Sequence, residues 1–310
     1  MAQKWRNKIV LAKIEAAYGV DPDPTGALNG VLATEVVLSP MEGSDVSREL
    51  ETPYLGAQGT IVAELHRKLT LKVELVGSGT AGTAPAWGPL LRACGVAETI
   101  VAATSVTYNP VSDDHESITI YVWMDSTVYM LTGTRGTARL TFTAQGIPYL
   151  EFEFTGLFSP AAEEARDTPT LTAFQKPQLV TDRNTPTFTM AGEDFVMRSC
   201  MLDLANQVEA RFLVNSEGIL ITDRADMIQT TVEAVPLTTF DPYTLAENQG
   251  TVPLVLGHGT LAGKIVTLNV PNAQMQRTQG LENAQNIIEW PLRLVPLPTA
   301  GDDQWTLVLT

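Results

Sequence analysis

Apolar and polar residues alternate along several stretches of this chain. In residues 69–75, leucine and valine occupy every second position, and threonine, lysine and glutamate occupy the positions between them. The same period recurs in 118–124, 139–144 and 150–155. A period of two is typical of strands that have one buried face and one face in water. Such alternation favours antiparallel sheets over a parallel α/β core, so the chain is predicted to be mainly β.

Helical patterns are few and short. Residues 86–97 and 6–17 are two candidates. A third is 241–248, where Asp241 is a good N-cap residue and Pro242 occupies the first helical position, at which no N–H is needed. We therefore expect isolated short helices beside the sheets.

A change in composition divides the chain. Ser159 and Pro160 open an acidic, alanine-rich stretch, and three further prolines follow by residue 186. Such stretches between patterned segments are typical of linkers. The chain is also long enough for two domains of about 100–200 residues each. We predict a first domain over 1–160, a linker over 161–185 and a second domain over 186–310.

The two predicted domains resemble each other. Four short segments of the first match segments of the second in the same order, which is strand, short helix, strand and final strand. The paired segments are 70–76 with 229–235, 87–90 with 240–243, 140–142 with 266–268, and 150–152 with 288–290. The spacing between partners varies, as loops of different length would produce. We interpret this order as an internal duplication.

The chain is acidic, with 35 Asp and Glu against 20 Lys and Arg and a formal net charge of −15. Nucleic-acid binding depends largely on basic patches that neutralise phosphates. The longest basic cluster here is only His66 to Lys68. Tight binding of DNA is therefore not expected, although an acidic surface could keep DNA from adhering.

Neither membrane insertion nor secretion is expected. The sequence contains no run of the ~20 consecutive apolar residues that a membrane helix needs. Its N-terminal apolar run, residues 9–12, is shorter than the ~7–15 residues of a signal-peptide core. Two cysteines, Cys94 and Cys200, do not make a disulfide framework and are expected to be thiols in a reducing cytoplasm.

Two segments have patterns associated with chemistry. Residues 77–82 match G-x-G-x-x-G after a strand, as in dinucleotide-binding loops, but Pro85 and Pro89 interrupt the place where the phosphate-binding helix would run. Residues 113–116 combine three acids with a histidine, but the spacing of a calcium-binding loop is absent. Motifs that pair a nucleophile with a base are absent from the sequence. We therefore predict no enzyme activity, no cofactor and no metal ion.

Two segments have features of contact regions. Pro40 and Pro53 lie in a long irregular stretch, 39–66, and a stretch of this length is usually either functional or disordered. It is either a floppy loop or an arm that becomes ordered against a neighbour. The last ten residues, 301–310, contain alternating apolar positions, and this strand pairs either within its own domain or with a neighbour's sheet.

Four stretches together resemble a known family. They are WRNKIVLAKIEAAYGVDPDPTG (5–26), SPMEGSDVSRELETPYLGAQGT (39–60), GSGTAGTAPAWGPLLRACGVAE (77–98) and GLENAQNIIEWPLRLVPLP (280–298). They are similar to the major tail tube protein of long-tailed, siphophage-type bacteriophages and prophages. The resemblance extends over nearly the whole chain.

The resemblance implies both a fold and an assembly. Tail tube subunits have β-sandwich or barrel-like domains with a short flanking helix, and their rings stack into a hollow tube through which phage DNA passes. Two similar domains in one chain imply a homotrimer ring with pseudo-sixfold symmetry, whereas other members of the family form hexamers. The implied partners are copies of the chain and the tape measure, terminator and distal tail proteins. The implied location is the virion.

Within such an assembly, a strongly negative chain suits a lumen through which DNA must slide without adhering. We also predict that 39–66 and 301–310 reach adjacent subunits. The predicted apolar contacts are Tyr54, Leu55 and Ile61 in the first segment, and Trp305, Leu307 and Leu309 in the second.

Other functions fit parts of the pattern. A tail terminator or a capsid decoration protein would also be a virion component, although a terminator would form single rings. A carbohydrate-binding β-sandwich module is the alternative from another class. Such modules usually display clustered aromatic residues, whereas the five tryptophans here are scattered along the chain.

Overall fold

Strands dominate the computed structural model, which describes residues 3–310. Two short helices occur in the first half, α1 (Gly26–Asn29) and α2 (Gly88–Arg92). The strands of this half are β1 (Lys8–Ile14), β2 (Gly30–Val31), β3 (Thr34–Ser47), β4 (Thr60–Glu74), β5 (Val96–Val101), β6 (Ser105–Pro110), β7 (Ile118–Met124), β8 (Thr127–Thr143), β9 (Tyr149–Phe158) and β10 (Ala162–Glu163).

The second half has one helix, α3 (Pro242–Glu247). Its strands are β11 (Thr187–Met190), β12 (Glu193–Asp194), β13 (Met197–Asp203), β14 (Asn206–Leu213), β15 (Ser216–Arg224), β16 (Met227–Glu233), β17 (Thr251–His258), β18 (Val266–Met275), β19 (Glu282–Ala284), β20 (Ile287–Pro296) and β21 (Thr306–Leu309). All pairings between strands are antiparallel, so the fold is mainly β, of a sandwich-like class, as predicted.

Strands pair in the same order in both halves. In the first half the order is β1-β7-β8-β9-β4-β3. In the second half it is β11-β17-β18-β20-β16-β13. Each half also has a short helix, α2 or α3, on the chain segment that leaves the equivalent strand β4 or β16. The shared order supports the duplication inferred from sequence.

Residue pairing gives the register of this repeat. Leu69 of β4 lies opposite Phe154 of β9, and Ile228 of β16 lies opposite Leu294 of β20. All four side chains are buried, and the two pairs occupy equivalent positions in the sheets of the two halves. The sequence matches 70–76 with 229–235 and 87–90 with 240–243 therefore fall on equivalent elements.

The other two sequence matches fall on the right strands in the wrong register. Leu150 is fully buried, whereas its sequence partner Ile288 is 55% exposed, and pairing across β16 places Trp290 at the equivalent position instead. In β18, the start at Val266 corresponds to Thr127 of β8 rather than to Leu140. Short apolar strands look alike in sequence, and only their pairing partners fix the register.

Hydrogen bonds join the two halves directly. β13 pairs with the end of β8, and β21 lies between β18 and β6. A single core of buried side chains extends through both halves. The segment 161–185 contains only β10, and it is held to α1 where the backbone N–H of Thr170 donates to the carbonyl of Gly26 at 2.8 Å. The domain boundaries placed at 160 and 186 remain a prediction.

Of the three predicted helices, one is present, one is shorter than predicted and one is a strand. Residues 241–248 contain α3, where the Asp241 carboxylate accepts hydrogen bonds from the N–H groups of Tyr243 and Thr244. Residues 86–97 form only the short α2. The helix predicted at 6–17 is wrong, because this segment is the strand β1, whose successive residues Val10 and Leu11 are buried on opposite faces.

Within residues 3–310, the structure contains no helix long and apolar enough to cross a membrane.

Candidate assembly surface

Glycines of the G-x-G-x-x-G segment bring two loops into close contact. The N–H of Gly79 donates to the carbonyl of Gly263 at 2.9 Å. A Cβ placed on Gly77 would lie only 2.2 Å from the Gly263 oxygen. Glycine at these positions thus permits two backbones, one from each half, to pack together.

The acidic cluster 113–116 forms local contacts. Glu116 accepts two hydrogen bonds of 2.6 Å from the Arg92 guanidinium, and a His115 ring nitrogen lies 3.0 Å from the carbonyl of Val111. Asp113 and Asp114 are exposed in a turn. No group of three or more His, Cys, Asp or Glu side chains within residues 3–310 is placed to hold a metal ion.

An exposed β-hairpin is the most prominent surface feature, and we call residues 39–66 the arm. It consists of the outer parts of β3 and β4 and the loop between them. All residues from 40 to 62 are exposed, so over this part of the arm neither face is covered by the residues that the structure describes. The segment predicted to be a loop or an ordered arm is therefore largely a paired hairpin.

Arg67 fixes the root of the arm. Its guanidinium donates to the carbonyls of Pro40 at 2.9 Å and Met130 at 2.7 Å, and it lies over the rings of Tyr129 and Phe158. The residue is only 1% exposed, and burial lowers the pKa of its guanidinium. The basic cluster His66 to Lys68 is therefore not a surface patch, because its central charge lies inside the protein.

One face of the arm is apolar. Val46 lies opposite Ile61, and Ser44 lies opposite Ala63, so these four side chains share a face. Val62 lies on the other face, opposite Asp45. The arm contains five carboxylates and one arginine, which makes it strongly acidic apart from this apolar face.

Tyr54 and Leu55 lie in the loop at the tip of the arm and are among the most exposed apolar residues of the protein. Gln58 closes this loop by hydrogen bonding to both the N–H and the carbonyl of Leu50. The structure thus places all three residues predicted for this segment, Tyr54, Leu55 and Ile61, on an exposed, structured surface, where their contact with a neighbouring subunit stays a prediction.

A second hairpin, formed by β14 and β15, occupies the equivalent place in the other half. The arm joins β3 to β4, and the β14–β15 hairpin joins the equivalent strands β13 and β16. The sequence provided no sign of this correspondence, because the two hairpins differ in length and share no evident residue pattern. Only the equivalent pairing of the flanking strands identifies it.

Unlike the arm, the β14–β15 hairpin lies against the opposite half of the same chain. The Arg135 guanidinium of β8 donates to the carbonyl of Ile219 at 2.9 Å, and the N–H of Ile219 donates to the Tyr18 hydroxyl at 2.6 Å. At the far end, Phe212 stacks on His66 with ring centroids 6.2 Å apart. The inner side chains of this hairpin are partly or fully buried.

Polar side chains fix the root of the β14–β15 hairpin. Asn206 donates to the carbonyls of Cys94 at 2.6 Å and Gly136 at 3.0 Å. The Arg224 guanidinium donates to the carbonyl of Gly95 and to the Asn206 side chain. The charged run 223–226 therefore contributes to an internal contact between the halves.

The C-terminal segment does not have the predicted contact surface. Trp305 and Leu307 are fully buried and Leu309 is 4% exposed, so all three pack in the chain's own core. Both edges of β21 are also paired within the chain. β21 pairs with β18 of its own half, which is one of the two alternatives left open by the sequence, and it pairs also with β6 of the first half. Trp305, Leu307 and Leu309 therefore offer no apolar surface to a neighbouring subunit.

Asp226 lies buried beneath the C-terminal strand. One carboxylate oxygen accepts hydrogen bonds from the Gln304 amide at 2.9 Å and the Trp305 indole at 3.2 Å. The other oxygen has no hydrogen-bond partner in the described residues. Burial raises the pKa of this carboxyl to about 6, and the two hydrogen bonds and the nearby Arg224 charge offset only part of that effect.

Asp226 is therefore expected to make stability depend on pH. Its pKa is higher in the folded state than the usual value of about 3.9, so the folded state retains a proton that the unfolded state loses between about pH 4 and 6. Stability should fall as the pH rises through this window. The free energy of unfolding of Asp226→Asn, minus that of the wild type, should increase by about 2–3 kcal/mol between pH 4 and pH 7. Urea unfolding at both pH values measures this difference, and a constant difference would contradict the assignment.

No protein-family model matches this chain, and no curated protein matches it.

Proposed function

We propose that this chain is a structural virion protein whose copies assemble into the stacked rings of a long-tailed bacteriophage tail tube. The observation that carries the proposal is the arm, a structured hairpin with an apolar face that is left exposed by residues 3–310. Exposed apolar surface of this kind is typical of contacts between proteins. The resemblance of four sequence stretches to tail tube proteins specifies the assembly.

The repeated strand order supports a ring of three chains. Each chain contains two units with the same order of paired strands, so three chains would present six similar units around one axis. The net charge of −15 supports passage of DNA through the lumen without specific binding. The tape measure, terminator and distal tail proteins would be the further partners. No catalytic step is part of the proposal.

Negative-stain electron microscopy of the purified chain over a range of concentrations tests this function. We expect hollow tubes with a regular axial repeat, and end views whose rotational symmetry separates trimers from hexamers. Single rings that never stack would favour a tail terminator. A chain that stays monomeric at every concentration would contradict self-assembly and would favour the binding-module alternative.

A further inference from the structure

The internal repeat relates a covered face of the first half to an equivalent face of the second half. In the first half, the β14–β15 hairpin packs on the face of β8 and β9 that carries Arg135, Thr137 and Thr155, with Glu153 exposed beside them. Arg135 and Thr137 contact the hairpin directly, since Arg135 donates to the carbonyl of Ile219 and the Thr137 hydroxyl accepts from the N–H of Asn206.

The second half has the equivalent face. The N–H of Gly136 in β8 donates to the carbonyl of Ala93 after α2 at 3.2 Å, and the N–H of Met275 in β18 donates in the same way to the carbonyl of Gly250 after α3 at 3.0 Å. This equivalence places four residues of β18, β20 and the segment after β18 at the positions of the first-half face. We call them the receiving face: Gln274, Gln276, Arg293 and Val295.

Within residues 3–310, neither hairpin packs on the receiving face as the β14–β15 hairpin packs on its counterpart. Val295 is only half-buried, whereas Thr155, its counterpart beneath the β14–β15 hairpin, is buried. Arg293 forms no ion pair with any residue in 3–310. The chain thus contains two equivalent hairpins and two equivalent faces, but only one hairpin lies on a face.

We infer that the arm of one copy binds the receiving face of a second copy, as the β14–β15 hairpin binds the first half within each chain. The partner is thus a second copy of this chain, and the inference rests on the proposed self-assembly. The contact would repeat an interaction that already exists inside the molecule, so successive units around a ring would be joined alike.

Side-chain chemistry agrees with this arrangement. The apolar face of the arm presents Val46 and Ile61, as the inner face of the β14–β15 hairpin presents Val208 opposite Ile221. The arm is acidic, and Arg293 on the receiving face is a free basic group. Opposite charges at an interface favour the correct orientation of the partners.

Disulfide crosslinking between copies tests the inference. One chain would carry Ile61→Cys and the other Gln274→Cys, the position equivalent to Arg135. The native thiols of Cys94 and Cys200 are buried, and burial raises the pKa of both, so they should not react. We expect mild oxidation of the mixed, assembled chains to yield a crosslinked product of two chains on a non-reducing gel.

Val62→Cys mixed with Gln274→Cys is the matched control, because Val62 lies on the opposite face of the arm. This pair should lose the crosslink. Assemblies that form without the Ile61–Gln274 crosslink, or that crosslink equally through Val62, would overturn the inference and leave self-assembly intact. Chains that stay monomeric throughout would overturn both.

Discussion

Replacing Trp305 with alanine is expected to lower the free energy of unfolding by about 3–5 kcal/mol, the usual cost of removing a large buried aromatic side chain. Trp305 is fully buried, and its indole N–H donates to the buried Asp226 carboxylate. The substitution therefore leaves a cavity and also removes one of the two hydrogen bonds to a buried charge. Urea denaturation of the purified variant measures the loss.

Deleting residues 301–310 should be more severe still. The deletion removes β21 and leaves the edges of β18 and β6 without their partner strand. We expect the truncated chain to be unfolded or aggregated, and its failure to assemble would follow from the loss of the fold. Thr306→Ala is the control, because Thr306 is only partly buried and should change stability by less than about 1 kcal/mol. A truncated chain that unfolds at the wild-type urea concentration would contradict this account.

The sequence predicts strands with alternating apolar and polar positions well, and it predicts a strand with a continuous apolar run poorly. β4, β8 and β9 are recognisable because long parts of each strand have one buried face and one wetter face, which produces a period of two. β7 has the same alternation in sequence, although Thr119 and Trp123 on its second face are also buried. β1 escapes recognition because Val10 and Leu11 pack into different clusters on opposite faces. Its continuous apolar run then looks like part of a helix.

Contacts between distant segments account for the remaining differences. Arg67 and Asp226 look like surface charges in sequence, and each becomes buried only because segments far along the chain supply carbonyls or donors. The role of 301–310 is ambiguous in sequence for the same reason. Alternation shows which side chains of a strand face a core, but it does not show whether that core belongs to the same chain or to a neighbour. The arm could be located from its prolines and length, whereas its equivalence to the β14–β15 hairpin required the pairing of the flanking strands.

Shortening the arm is expected to weaken assembly strongly without unfolding the chain. Replacing residues 42–65 with an Asn-Gly turn keeps Pro40 and Arg67, whose hydrogen bond fixes the root, and closes the strands with a favoured two-residue turn. The removed residues bury little surface in their own chain, so the free energy of unfolding should change by only about 1 kcal/mol. Assembly should weaken by about tenfold or more, since each 1.4 kcal/mol of lost contact energy corresponds to one factor of ten. Size-exclusion chromatography with light scattering measures the amounts of assembled and unassembled chain.

Mixing the shortened chain with the wild type separates loss of the arm from loss of the fold. The shortened chain retains Arg293 and Val295, so it should still bind the arm of a wild-type copy while offering no arm to the next. A minor fraction of it should therefore reduce the length of wild-type assemblies. A misfolded chain would leave those assemblies unchanged, and a shortened chain that assembles as the wild type does would contradict the role of the arm. If a folded chain without the arm inhibits the growth of wild-type assemblies, the arm of one chain must bind a surface on the next.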